Sequence, residues 1–152
     1  MIVDLTDSRR VRCLGGPDND SRHSIAIAAN EGLLGFSLYP FHLKDGPQCS
    51  LESFADMVAW TADRMGVNRI GFGSDLCQSQ PQSVLEWMRT GRWSKVMDYG
   101  EGSSQDAGWP EPLAWFGDNR DFPHIVDALK TKGFSDDELG LIMGGNWVDV
   151  LI

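Results

Sequence analysis

The stretches GLLGFSLYP (32–40) and SLESFADMVAWTADRMGVNRIGFGSD (50–75) decide the fold. Leu51, Phe54, Met57, Val58, Thr61, Ala62 and Met65 recur at helical spacing. Ser50 is a good N-cap in front of them, and Gly66 stops the run. On either side, LLGFSLYP and RIGFG read as short strands, the first ended by Pro40. Strand, helix and strand in this order form a β-α-β unit, which makes parallel strands joined by a right-handed crossover. The expected fold class is therefore α/β with parallel strands.

Asp75 stands where the second apolar run stops. A carboxylate inside a fully buried strand is costly to desolvate, so Asp75 belongs where the strand emerges. Two readings follow. The carboxylate caps the turn after the strand, or it lies at the C-terminal mouth of a parallel sheet or barrel, where α/β enzymes place catalytic side chains.

The bulk composition narrows the function classes. A chain of 152 residues with 41% hydrophobic and 23% charged residues suits one globular domain spanning 1–152. A net charge of −9, with no cluster of Lys or Arg, opposes binding to nucleic acid phosphates. Cys13, Cys49 and Cys77 are too widely spaced for a CxxC metal knuckle, and being three in number they make no even disulfide framework. With no signal-like or membrane-spanning segment in view either, a cytoplasmic location is expected.

Outward from the β-α-β unit, MIVDLT reads as a further strand starting at Met1, and SIAIAANEG (24–32) as a helix. The long stretch after Asp75 carries Trp87, Trp93, Trp109 and Trp115 and is expected to be a lid over a site, or else an aromatic anchor to the body. His124 to Lys132 fits a helix closed by Gly133. SDDE (135–138) is a capping box opening another helix, with Leu139, Ile142 and Met143 on its apolar face. Gly144, Gly145 and Asn146 are expected to end it, leaving WVDVLI (147–152) as an apolar segment that packs on the core.

Taken together, GLLGFSLYP, the segment from Ser50 to Leu76, and FSDDELGLIMGGNWVDVL (134–151) resemble the C-terminal part of the membrane (renal) dipeptidase family, within the metal-dependent amidohydrolase superfamily. The shared order runs strand, helix, GSD, long loop, helix pair, GGN. The resemblance implies a partial (β/α)8 TIM-type barrel and a metallopeptidase that uses two zinc ions to hydrolyse dipeptides, commonly ones with a D-residue on the C-terminal side. It places Asp75 at the catalytic acid/base position, shuttling a proton to the leaving amine. Tyr39 and Arg22 would contact the small peptide substrate.

The metal ligands depart from that pattern. No His-x-Asp pair exists in the sequence, and Asp7 stands where the family's strand ends in a metal-binding His. The family's Arg-Asn pair falls where this chain reads Pro17, Asp18 and Asn19, with Arg22 out of register. His23, His42 and His124 share no strand or helix spacing and read as surface or capping histidines, and Cys77 as a buried thiol. No metal ligand is assigned, so the chain is not expected to hold the zinc pair in the usual way, and negligible dipeptide hydrolysis is expected even with zinc added. The expectation is a truncated form of a zinc-dependent dipeptidase, or a non-catalytic remnant serving as scaffold. Open edges of a part-barrel would favour a homodimer or other self-association.

Overall fold

The computed structural model describes residues 2–3, 32–76, 81–84, 87 and 111–151. Strands β1 (Ile2–Val3), β2 (Leu33–Ser37) and β3 (Ile70–Gly73) form a parallel sheet in the order β1-β2-β3. Between β2 and β3 runs helix α1 (Leu51–Met65). Ser50 caps α1 by accepting the Ser53 backbone N–H, and Gly66 ends it at φ 87, a left-handed value that favours glycine.

Pairing of Gly35 with Gly71 and of Phe36 with Phe72 gives the sheet two different faces. On one face, Phe36 and Phe72 meet Phe54 of α1, with ring centroids 6.1 and 5.7 Å from it. Phe54, Ala55, Val58, Thr61, Ala62 and Met65 are the buried stripe of α1, beside buried Leu34 and Ile70. On the other face the two glycines leave a flat floor that Trp147 covers. A Cβ built at Gly71 would stand 2.5 Å from Trp147 Nε1, and one at Gly35 would stand 3.0 Å from its Cζ2. Trp147 Nε1 donates to the Phe72 carbonyl at 3.1 Å, which fixes the indole across β3.

Gly71→Ala is therefore expected to destabilise by about 1–3 kcal/mol, because the added methyl pushes the indole off its carbonyl. Urea unfolding checks this, with a parallel loss of the Trp147 fluorescence environment. An unchanged midpoint would contradict the close approach.

The C-terminal elements differ from the sequence expectations in three ways. Helix α2 runs Phe122–Thr131, two residues ahead of the expected start at His124. The chain is already set for a helix at Asp118, whose side chain caps a short 3-10 turn (Asn119–Asp121), and Pro123 suits a first helical turn. Helix α3 (Asp136–Gly140), opened by the Ser135–Glu138 capping box, passes into a widened turn, Leu141–Gly145, with Gly144 outside helical geometry. GGN does not end the helical run there: α4 (Asn146–Leu151) resumes it. Of the segment expected to pack on the core, Trp147 does so, but Val148 and Leu151 are exposed at 53% and 69%. A helix this short offers the sheet one narrow face, and Asn146 and Trp147 occupy it.

Trp115 anchors its loop to the body. Its Nε1 donates to the Cys49 carbonyl at 2.7 Å and its ring lies 5.2 Å from Phe54. Trp87 is exposed, and Trp93 and Trp109, like the helix read at 24–32, lie outside the described residues. Among the described residues no helix is long and apolar enough to cross a membrane.

Four carboxylates, Asp136 exposed and Asp118, Asp121 and Glu138 half-buried, are held below the usual carboxylate range. Asp118 is lowered to about 2, first by the hydrogen bond from the Arg120 side chain and then by the Arg120 backbone N–H. Asp121 is lowered by the N–H groups of Asp118 and Gly117, Asp136 by Lys130, and Glu138 by Ser135. A depressed folded value stabilises the fold above the unfolded carboxylate range, and that contribution is lost as pH falls through the folded value. The melting midpoint is thus expected to fall between about pH 4 and pH 2, and these groups should leave it flat from about pH 5 to 7. A midpoint unchanged down to pH 2 in a thermal series would refute this.

Candidate functional site

Parallel pairing places the C-terminal ends of β2 and β3 side by side, with Ser37 opposite Gly73. The Leu38 N–H donates to the Gly73 carbonyl at 3.1 Å, extending the ladder by one bond. Asp75 follows β3 by two residues, exposed and at φ 49. Asp tolerates this left-handed conformation better than most residues, and it turns the chain just beyond the strand.

There Ser37 Oγ donates to Asp75 Oδ2 across 3.4 Å. The same oxygen accepts the Tyr39 backbone N–H at 3.1 Å and lies 3.1 Å from His42 Nδ1. Pro40 opens a short 3-10 turn, Pro40–His42, that folds the chain back and brings His42 to Ser37. The Tyr39 and His42 rings meet edge to face with centroids 4.8 Å apart. Ser37 is buried, His42 half-buried and Asp75 exposed, so the cluster runs from the sheet end to solvent.

Of the residues singled out in the sequence, Asp75 and Tyr39 come together here, and Arg22 lies outside the described residues. Ser37 was not singled out, and His42, read as a surface or capping residue, sits against Ser37 instead. The usable signal was the spacing of Ser37 and His42 across Pro40, which only becomes proximity once that turn forms. His124 stays at the start of α2, 3.7 Å from Asp121. Cys77 and His23 lie outside the described residues.

The arrangement offers a solvent-facing carboxylate for proton transfer, backed by a buried hydroxyl and an imidazole. Among the described residues no group of three or more His, Cys, Asp or Glu side chains is placed to hold a metal ion. A zinc ion takes three or four protein ligands in a stable site. Asp75 and His42 are one carboxylate and one imidazole, so the described donors do not fit the zinc pair that the dipeptidase resemblance implies.

A solved amidohydrolase from Pseudomonas aeruginosa superimposes on this chain with a TM-score of 0.72 at 19% identity. The fold is amidohydrolase-like. The alignment covers 99% of this chain and 43% of that protein, so the chain spans less than half the length of the amidohydrolase it matches. No family model matches the sequence. No curated protein matches it either.

Proposed function

We propose that this chain forms the C-terminal strands of a (β/α)8-type barrel and takes part in hydrolysing the amide bond of small peptides, with Asp75 carrying the proton. The observation that supports this most is the position of Asp75, just past the C-terminal end of β3 and beside that of β2, in an amidohydrolase-like fold. Catalytic groups of such barrels gather at that end of the strands. In the proposed reaction, water adds to the amide carbon and Asp75 takes its proton. Asp75 then gives that proton to the amine nitrogen as the C–N bond breaks, leaving a carboxylic acid and an amine. Tyr39, beside the cluster, would border the bound peptide, as Arg22 would by the dipeptidase resemblance.

The shortage of metal donors favours a second reading, a non-catalytic form that keeps the scaffold. One experiment separates the two. The purified chain, with and without added zinc, is assayed for metal content and for hydrolysis of a dipeptide panel that includes C-terminal D-residues. Dipeptide turnover by the chain, with or without added zinc, is the result that would support the hydrolytic reading. Absence of both bound zinc and turnover would establish the scaffold reading instead.

A further inference from the structure

Ser37 stands between Asp75 and His42 with a single hydrogen to give. One acceptor position on its oxygen is filled by the Tyr39 N–H at 3.1 Å. An ionised carboxylate only accepts, so in the contact with Asp75 Oδ2 the hydroxyl must be the donor. His42 Nδ1 then has to supply the proton for its own 3.1 Å contact, because two lone pairs facing each other would repel. The Tyr39 ring, meeting the imidazole at 65°, restrains it from rotating away. Burial of Ser37 at 6% exposure leaves little water to compensate a lost partner.

We propose that Ser37 is a positioning residue that couples Asp75 to His42, holding His42 as its Nδ1–H tautomer while the Ser37 hydroxyl donates to Asp75. The coupling gives the two carboxylate oxygens different tasks: Oδ2 is tied to Ser37 and Oδ1 carries the proton. This assignment of tasks rests on the proton-carrying role of Asp75 proposed above. The tautomer coupling itself is measured without any turnover.

The test is nitrogen-15 NMR of the whole chain with labelled histidine, at a pH of about 8.5, where an ordinary imidazole is neutral. His42 signals are assigned by their disappearance in His42→Gln. The wild-type chain is expected to show mainly the Nδ1–H form. Asp75→Gly removes the acceptor while glycine suits the local φ of 49, so the Ser37 hydroxyl turns to His42 and the majority form becomes Nε2–H. Ser37→Ala is expected to give the same reversal, and if that variant does not fold, Asp75→Gly decides alone. A wild-type Nε2–H majority, or a tautomer indifferent to Asp75→Gly, overturns the coupling. Failure of dipeptide hydrolysis overturns the amidase reading and leaves this result standing.

Discussion

If the chain hydrolyses dipeptides as proposed, Asp75→Asn is expected to lower that rate by about 10²–10⁴-fold, the range contributed by a positioned general acid–base. Asparagine keeps the size of the side chain, still accepts a hydrogen bond from Ser37 and tolerates the left-handed φ of 49, so the backbone beyond β3 has no reason to move. On the proposed role, what it would lose is the ability to take a proton from water and return it to the amine. The effect should fall on kcat with little change in KM, the pattern of an interaction made only in the transition state. Because Asp75 is exposed and packs against little, the melting midpoint should stay within about 2 °C of wild type. A fully active Asp75→Asn would remove the proton-carrier role, and a large loss of stability would show that Asp75 acts mainly as a turn cap.

Asp75 was legible in the sequence and its neighbours were not, for a physical reason. A strand that stops at a carboxylate can be read locally, because the cost of burying charge acts on that residue alone. Ser37 lies 38 residues away, and it meets Asp75 only because parallel pairing sets Ser37 opposite Gly73. No local pattern carries that register. Helix α1 was readable for the opposite reason, since its cap, its stripe and its Gly66 stop all lie within one stretch. Ala55 escaped notice in that stripe because its burial depends on neighbours outside the helix. Trp147 shows the same divide. The sequence placed it in a terminal apolar segment, whereas its seat on Gly35 and Gly71 exists only when both strands align their glycines. GGN looked like a helix end for a related reason: Gly144 does leave helical geometry, but Asn146 bonds to the Val67 carbonyl in the 3-10 turn and to the Ile70 carbonyl at the start of β3, contacts distant in sequence, and the helix resumes there.

Those partners make Asn146→Asp the most damaging isosteric change expected in the described residues. Asn146 is 2% exposed, and its Nδ2 donates to the Val67 carbonyl at 2.8 Å and to the Ile70 carbonyl at 2.7 Å. Only an amide NH₂ can face two carbonyl oxygens with two hydrogens, which settles the orientation of the side chain. Both acceptors lie at the junction of α1 and β3, Val67 opening the 3-10 turn after Gly66 and Ile70 starting the strand. One side chain thus ties the β-α-β unit to α4. Aspartate keeps the shape but puts one carboxylate oxygen where Nδ2 faced both carbonyls, so both lose that donor beside a buried charge. The expected loss is about 3–5 kcal/mol, the range for an uncompensated buried charge. That is a large part of the roughly 5–15 kcal/mol that holds a typical domain. Protonating the new carboxyl would remove its charge and restore one donor, so its folded pKa lies above the unfolded one. The defect should therefore deepen as pH rises through the unfolded carboxylate value of about 4 toward neutrality, opposite in sign to the behaviour of Asp118 and Asp121. Urea midpoints of wild type and variant at pH 5 and pH 8 measure this. An Asn146→Asp chain as stable as wild type at both would show that the two carbonyls find other donors and that α4 is not fastened to the sheet through this residue.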